Sequence, residues 1–258
     1  MNDEAILVCE GLDKRYGAVQ AVKGVTFSLH RGEILGLVGP NGAGKTTLVD
    51  LISGAQRQDA GFAAIRGKRL SGPPSRRARV NGLARTFQHP QVALELTVRE
   101  NVLIGVTAPS LGSVGGLVLS VIKGCLSPDT AAEDLRVTSV AAAVGLPEIT
   151  RRCSELTLGE LRLVEVARAL VADPSVILLD EPFAGGDVHG VASVSRALQE
   201  IVKTGASVIL VDHNVDLVAA LVNRIVLLNF GQILFDGDAK ECLASPAMQD
   251  VYFGAAHL

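Results

Sequence analysis

One stretch of the chain combines residue types and spacing that suit the binding of phosphate. It fits the pattern GxxxxGK followed by Ser or Thr, and its nine consecutive residues are Gly39, Pro40, Asn41, Gly42, Ala43, Gly44, Lys45, Thr46 and Thr47. Glycines let the backbone N–H groups point inward, and a helix that begins directly after them adds a partial positive charge. Lys45 is expected to reach the β- and γ-phosphates of a nucleotide, and the Thr46 hydroxyl is expected to bind Mg²⁺.

Charged side chains follow two apolar runs later in the chain. The run Val176–Leu179 leads into Asp180–Glu181, and the run Ser207–Val211 leads into Asp212–His213. Continuous apolar runs of this length are typical of strands buried on both faces. Ligands bind at the carboxyl ends of such strands in open parallel sheets. The sequence therefore predicts that these side chains meet the phosphate loop at one edge of one sheet.

Each of these side chains has an ordinary interpretation when taken alone. Asp180 could be a helix cap or turn residue, and His213 a hydrogen-bonded polar residue at a strand end. The phosphate loop on the same edge favours a joint site. Asp180 would then hold Mg²⁺ directly or through water, and Glu181 would orient or deprotonate an attacking water. His213 would sense or stabilise the γ-phosphate.

The flanking segments predict how the loop is held. Ile34–Val38 predicts a strand before it and Thr46–Ile52 a helix after it. Residues Ile6–Glu33 predict an antiparallel β region, and Gly61–Arg69 predicts a further hairpin strand. The first of these regions is expected to break at four glycines, Gly11, Gly17, Gly24 and Gly32. The fold class is therefore α/β, with a mostly parallel sheet and an N-terminal antiparallel β subdomain.

A helical insert is predicted over about residues 89–165. Thr97–Glu100 has the spacing of a capping box, so a helix is expected to start at Thr97. The Ala-rich run Thr130–Val144 predicts another helix. A further strong helix is expected to open at Glu155–Glu160, where Thr157 and Gly159 suit a second phosphate contact.

Length and composition are those of a globular protein. The chain has 258 residues, of which 48% are apolar and 20% charged, so one domain over residues 1–258 can bury a large core. About residues 225–258 are expected to form a C-terminal hairpin and tail. The net charge of −3 gives no electrostatic reason to expect a nucleic-acid partner. The basic stretch at Arg76, Arg77 and Arg79 has no interleaved aromatic residue and is predicted to be a solvated face.

The chain is expected to be cytoplasmic. Its four cysteines show no CxxC spacing, which indicates free thiols in a reducing compartment. The N-terminal residues 1–4 lack the basic-then-apolar order of a secretory signal. Asn101–Ile122 carries no charge, but Gly and Pro interrupt it, so it is predicted to be a surface excursion rather than a membrane span.

With these residues in place, the chain resembles the ATP-binding subunits of ABC transporters over essentially its full length. Tyr16, which by itself could be a packing residue or a platform for adenine, takes the place of the family's aromatic loop. The other motifs follow in the family's order: Walker A at Gly39–Thr47, the Q-loop at Gln88, the signature at Leu156–Glu160, Walker B at Val176–Asp180, the adjacent Glu181, the D-loop around Asp187 and the switch His213.

The resemblance implies a P-loop NTPase core, ATP and Mg²⁺ as ligands, and Gln88 as a further Mg²⁺ and catalytic contact. It also implies a head-to-tail dimer, in which the signature residues Thr157, Gly159 and Glu160 of one ATP-binding subunit face ATP on the other. Dimer closure and hydrolysis would drive transmembrane permease subunits, indirectly served by a solute-binding protein, at the cytoplasmic face of the inner membrane. Ala84–His89 and Val251–Gly254 look most like the branched-chain, hydrophobic amino-acid importers.

Two motifs depart from the family pattern. The signature has Thr157 where Ser is usual and Glu160 where Gln is usual, and the D-loop has Gly186 where Leu is usual. These changes keep open a second function, an ATP-binding regulatory subunit that hydrolyses weakly. An ABC ATPase for another transported substrate also remains open.

Overall fold

The computed structural model describes residues 4–86, 90–107, 131–146, 148–184 and 188–253. The chain divides into two compact units. Unit 1 comprises residues 1–74, 178–181 and 207–258, and unit 2 comprises residues 75–177 and 182–206. The segment expected to form the helical insert lies within unit 2.

The described strands are β1 Ala5–Tyr16, β2 Val19–His30, β3 Ile34–Val38, β4 Ala60–Ile65, β5 Lys68–Arg69, β6 Leu83–Arg85, β7 Val176–Asp180, β8 Ser207–Val211, β9 Arg224–Asn229 and β10 Gln232–Asp238. The described helices are α1 Lys45–Ser53, α2 Pro74–Asn81, α3 Val98–Thr107, α4 Ala131–Ala143, α5 Leu158–Leu170, α6 Val188–Lys203, α7 Val215–Leu221, α8 Ala239–Ala244 and α9 Pro246–Phe253. A single 3-10 turn, Cys153–Glu155, precedes α5.

Unit 1 contains the predicted N-terminal antiparallel sheet, in the strand order β2-β1-β4-β5. The prediction that Gly11 and Gly24 break the strands was wrong. Both lie inside long strands, with φ of 57° and 59°. The pairing of β1 with β2 shifts register between Cys9 and Leu12, around Gly11, and again between Leu12 and Lys14, whose partners Val25 and Val22 lie on either side of Gly24. A bulge with a left-handed glycine lets a strand continue past an extra residue. Gly17 and Gly32 do lie in turns.

The second sheet has the order β10-β9-β3-β8-β7-β6. Strand β3 pairs in parallel with both β8 and β9, and β9 with β10 antiparallel. Strands β7 and β8 are buried along their whole length, as their apolar runs predicted. Because β3, β8 and β7 are neighbours, the loop after β3 and the charged residues after β7 and β8 begin at one edge of the sheet.

The helices confirm most of the predicted boundaries. Helix α1 begins one residue before the expected Thr46 and ends one after Ile52. Thr97 caps α3 as predicted: its backbone N–H donates to Glu100 Oε2 at 2.7 Å, and Glu100 N–H donates to Thr97 Oγ1 at 3.2 Å. Helix α4 occupies most of the Ala-rich run 130–144.

Arg77 corrects the prediction of a solvated basic face. Arg76 and Arg79 are exposed on α2, but Arg77 is only 4% exposed. Burial lowers the pKa of its guanidinium. The three arginines are spaced along one helix, so the middle one turns inward while the others face solvent.

The C-terminal part of unit 1 forms the expected hairpin and helical tail. Strands β9 and β10 are joined by Phe230 and Gly231, which both have positive φ. Gly237 lies inside β10. Within the described ranges, no helix has the length and apolar character needed to cross a bilayer.

Candidate functional site

The phosphate-loop residues line a cavity in unit 1. Its volume is about 190 Å³, and its lining residues are Ala21, Asn41, Gly42, Ala43, Gly44, Lys45, Thr46, Thr47, Glu181 and Val211. The loop is fixed to the C-terminal hairpin, since Gly231 N–H donates to Ala43 O at 2.8 Å. The same turn is held by strand β2, because Lys23 N–H donates to Gly231 O at 2.8 Å. The structure thus brings the predicted loop and one predicted carboxylate, Glu181, to the same cavity.

Two glycines of the loop are required for different reasons. Gly44 directly precedes α1 with φ of 104°, and a Cβ there would lie 2.3 Å from Ala21 O. Gly42 has φ of 82°, but a Cβ there would meet nothing within 4 Å. Gly44 therefore permits a close approach of two backbones, whereas Gly42 permits only a left-handed turn.

Lys45 is held inside the loop. Its side chain is almost fully buried, and its Nζ donates to Gly39 O at 2.6 Å and to Pro40 O at 3.0 Å. Burial lowers the pKa of Lys45, and the carboxylates of Glu181, Asp180 and Asp212 act in the opposite direction. An ammonium group that two loop carbonyls hold beside this cavity is suited to bind a phosphate oxygen.

The two carboxylates after β7 differ in position. Asp180 ends the strand and is 6% exposed, and it is not among the residues that line the loop cavity. Glu181 lines that cavity with φ of 48°, an uncommon conformation for a residue with a side chain. Its N–H donates to Val211 O at 2.8 Å, which fixes the end of β7 against the end of β8. Backbone strain of this kind is concentrated at functional sites, where it aims a side chain.

His213 lies beside this edge but is largely in solvent. Its side chain is 60% exposed, and its Nδ1 is 3.5 Å from Oδ1 of Asp212. Asp212 itself is buried at 1% exposure. The structure therefore places the histidine at the predicted strand end without turning it into the described cavity.

A second cavity of about 420 Å³ adjoins the first, with which it shares Ala21 and Gly42. Its other lining residues are Arg15, Ala18, Val19, Gln20, Lys23, Phe230 and Gly231. Tyr16 is not among them, but it pairs directly with Val19 across the β1–β2 hairpin, so both side chains leave the same face. Tyr16 is 46% exposed, and the Lys14 ammonium lies 5.5 Å from its ring centroid.

Phe230 is a residue that the sequence analysis missed. It is 75% exposed and has φ of 44° in the hairpin turn. Two-residue turns with positive φ at both positions favour Asn-Gly, and the sequence has Phe-Gly. The unusual Phe in this turn is a sequence signal that could have drawn attention to Phe230. The cavity beside the turn could not be predicted from that signal.

The signature residues lie in unit 2, at the start of α5. Thr157 caps the helix: Glu160 N–H donates to Thr157 Oγ1 at 3.3 Å, and Thr157 N–H donates to Glu160 Oε2 at 2.8 Å. Arg151 also donates to Glu160, at 3.1 Å. Partial burial raises the pKa of Glu160, but the hydrogen bonds from Thr157 and the charge of Arg151 together lower it by more. The pKa of Glu160 is therefore below its ordinary value. A Cβ on Gly159 would lie 3.1 Å from Gly190 Cα, so the helix approaches α6 closely there.

Several predicted residues lie outside the described ranges. They are Gln88, the D-loop residues Gly185, Gly186 and Asp187, and the final Gly254. Residues 108–122 of the surface excursion expected over Asn101–Ile122 also lie outside the described ranges. Its residues 101–107 belong instead to helix α3, where Asn101 and Val102 are fully buried.

The donor set near the loop suits a magnesium ion that is bound together with a nucleotide. Throughout the described ranges, no group of three or more His, Cys, Asp or Glu side chains could hold a metal. Mg²⁺ usually takes one or two protein oxygens and completes its shell with phosphate and water oxygens. The Thr46 hydroxyl in the cavity and the Asp180 carboxylate at the neighbouring strand end are oxygen donors of this kind.

A parallel sheet with a glycine-rich loop between strand β3 and helix α1 defines a nucleotide-binding α/β protein. The family model described as ABC transporter matches residues 22–184. The chain therefore belongs to the ABC transporter family, as an ATP-binding subunit and an ATPase.

Relatives and solved structures extend the similarity to nearly the whole chain. The high-affinity branched-chain amino acid transport ATP-binding protein LivG of Salmonella typhimurium is 32% identical, over 98% of this chain and 99% of the relative. LivG of Escherichia coli is 31% identical over the same shares. The ADP conformation of MJ1267, an ATP-binding cassette of an ABC transporter, superposes with a TM-score of 0.84 at 28% identity, over 97% of this chain and 99% of that one.

Proposed function

We propose that this chain hydrolyses ATP to drive an importer of branched-chain or related small hydrophobic amino acids. The observation that carries the proposal is the cavity in which the loop, with its buried Lys45, faces Glu181. The choice of cargo is supported by the similarity to LivG proteins over nearly the full length. The runs 84–89 and 251–254, which look like that branch of the family, add to it.

The triphosphate is proposed to lie in the loop cavity. Backbone N–H groups of the loop, which Pro40 lacks, surround the phosphate oxygens, and Lys45 neutralises the β- and γ-phosphates. Thr46 and Asp180, with Gln88, would hold Mg²⁺, whose charge neutralises the phosphate oxygens. Glu181, fixed by its strained backbone, orients a water and accepts its proton, and His213 donates a hydrogen bond to the γ-phosphate.

The nucleoside is proposed to extend into the second cavity. The two cavities share Ala21 and Gly42, so a ligand that fills the first can continue into the second. The apolar walls formed by Val19 and Phe230 suit a flat base, and Tyr16 leaves the same face as Val19. The base would therefore contact these apolar side chains, while Arg15, Gln20 and Lys23 on the same cavity offer polar groups to the ribose.

Thr157, Gly159 and Glu160 are proposed to act on the nucleotide of a second ATP-binding subunit, whether identical or different. The N-terminus of α5 supplies N–H groups to a phosphate. Permease subunits, served by a solute-binding protein, would hold the pair at the cytoplasmic face of the inner membrane. No nucleic acid takes part in this scheme.

The proposal is tested with the chain reconstituted with its permease in liposomes. Glu181→Gln is expected to abolish ATP turnover while ATP still binds, because it removes the proton acceptor and keeps the shape. Glu241→Gln, an exposed substitution in α8, is the matched control and is expected to leave turnover unchanged. Unchanged turnover in Glu181→Gln would refute the assignment. Uptake of radiolabelled leucine, with a polar amino acid as control, tests the cargo.

A second function, a subunit that binds ATP and hydrolyses it weakly, is favoured by one specific contact. The Thr157 hydroxyl donates a hydrogen bond to the Glu160 carboxylate, with an Oγ1 to Oε2 distance of 3.0 Å. A phosphate that used this hydroxyl would have to displace an anion that lies beside it. Tight ATP binding with background turnover in the reconstituted complex, relieved by Glu160→Gln, would establish this alternative.

A further inference from the structure

Asp212 carries a buried carboxylate oxygen whose partner is not accounted for. The residue directly follows β8 and is 1% exposed. Its Oδ1 accepts from Asn214 N–H at 2.9 Å, which forms the turn that leads into α7. Its Oδ2 is buried without a hydrogen-bond partner from any described residue. Because a buried carboxylate oxygen without a donor is costly, it calls for a specific explanation.

The turn before α7 does not explain a charged side chain at this position. An asparagine would supply the same carbonyl oxygen to Asn214 N–H without burying a charge. Asn214 itself caps α7, since its side chain accepts from Leu217 N–H at 3.1 Å. The turn therefore needs only Oδ1 of Asp212 and gives Oδ2 no structural role.

The charged groups near Asp212 indicate which side chain could donate to its carboxylate. Lys45 contributes positive charge toward Asp212, but it directs hydrogen bonds to Gly39 O and Pro40 O within its own loop. Asp180 and Glu181, the other charged groups around Lys45, are acceptors. His213 Nδ1 is 3.5 Å from Oδ1 of Asp212, on a side chain that is 60% exposed. The imidazole is thus the donor that a rotation can bring onto this carboxylate.

We infer that Asp212 is a positioning residue, whose carboxylate accepts the Nδ1–H of His213 and thereby directs Nε2–H toward the terminal phosphate. The carboxylate and the phosphate are both acceptors, so a ring held between them donates from both of its nitrogens. The exposed orientation of the histidine is then the resting one, and the ring turns inward when nucleotide binds. The inference rests on the proposed function, because the phosphate is the group that Nε2 would meet.

The test compares Asp212→Asn with Asp216→Asn in the complex of the full chain with its permease. Asp212→Asn keeps an oxygen for Asn214 N–H but presents an amide to the imidazole. We expect its kcat to fall by about tenfold or more, with KM for ATP unchanged. Losses of this size are typical when a residue that orients a functional histidine is replaced. Asp216, exposed in the first turn of α7, is the matched control and is expected to keep the wild-type kcat.

Two further readouts separate positioning from a structural role. In ¹⁵N-labelled protein with ATP, the His213 ring is expected to carry a proton on both Nδ1 and Nε2, and Asp212→Asn is expected to remove the proton from Nδ1. In a His213→Ala background, Asp212→Asn is expected to cause no further loss of turnover. An unchanged ring signal, an unchanged kcat, or an equal loss in both backgrounds would overturn the inference.

Failure of the proposed function is recognised separately. If wild-type protein and Lys45→Ala show the same background turnover, the proposed function fails. The ring signal of His213 still decides whether Asp212 accepts from it. Melting curves of both aspartate variants verify that they fold.

Discussion

The loop glycines Gly42 and Gly44 offer a matched pair of substitutions that tests the structure quantitatively. Both have left-handed φ, of 82° and 104°. Only at Gly44 would an alanine Cβ meet backbone, at 2.3 Å from Ala21 O, whereas the site at Gly42 is open. We therefore expect Gly44→Ala to be clearly more damaging than Gly42→Ala, although the change in composition is the same.

The expected magnitudes follow from these distances. A left-handed conformation costs a residue with a Cβ about 1–2 kcal/mol, which applies to both variants. At Gly44 the Cβ is roughly 1 Å closer than the ~3.3 Å of a tight carbon–oxygen contact, and overpacking of this kind adds about 1–3 kcal/mol. We expect losses of about 1–2 kcal/mol for Gly42→Ala and about 2–5 kcal/mol for Gly44→Ala. In a chain of this size these correspond to falls in Tm of roughly 2–8 °C and 4–20 °C.

The clash also predicts a separate effect on binding. Relief at Gly44 must move the loop away from strand β2, and Ala21 of that strand lines both cavities. Gly44→Ala should therefore bind a fluorescent ATP analogue more weakly than Gly42→Ala at a temperature where both are folded. Thermal melting without nucleotide and a titration with the analogue measure the two effects. Equal falls in Tm for the two variants would refute the reasoning.

Three further predictions concern other elements. Thr157→Ala removes the cap of α5 and should lower the free energy of unfolding by about 0.5–2 kcal/mol in chemical denaturation. Thr157→Ser keeps the hydroxyl and is the control. An equal loss of stability in both variants would contradict the capping role. Glu160 has a lowered pKa in the folded state, so its charge stabilises the protein above the ordinary carboxyl pKa, and this contribution is lost as pH falls through the folded value. The difference in Tm between wild type and Glu160→Gln should therefore shrink between about pH 5 and pH 3, and a difference that grows on acidification would show the opposite sign. Phe230→Asn should raise Tm, because Asn suits the left-handed turn. It should also weaken the binding of ATP but not of tripolyphosphate. An equal loss of affinity for both ligands would place Phe230 outside the nucleoside cavity.

Features that depend on short-range spacing were predictable from the sequence. The phosphate loop, strand β3 and helix α1 follow from nineteen or so adjacent residues, since loop spacing and helix start are set locally. The capping box at Thr97 is likewise a matter of residues three apart. The neighbouring placement of β3, β7 and β8 was inferred from two buried apolar runs, and the sheet order confirms it.

Features that depend on distant partners were not predictable in this way. Gly11 and Gly24 looked like strand breaks, yet the pairing of β1 with β2 turned them into bulges. Arg77 looked solvated, but α2 packs with that side inward. Phe230 carried no chemical pattern, and the proximity of its turn to the loop comes from a hydrogen bond between Gly231 and Ala43.

The sequence by itself determined that this chain has a phosphate loop followed by a helix. It also determined that carboxylates and a histidine directly follow two buried strands along the chain. Only the tertiary structure decided that Glu181 faces the loop cavity while His213 stays largely in solvent. Tertiary structure also decided that Gly44 is sterically required and that Asp212 keeps a buried oxygen without a described donor. The physical reason is that strand register and the approach of β2 and the C-terminal hairpin set these contacts, and such long-range packing is not encoded in any local spacing.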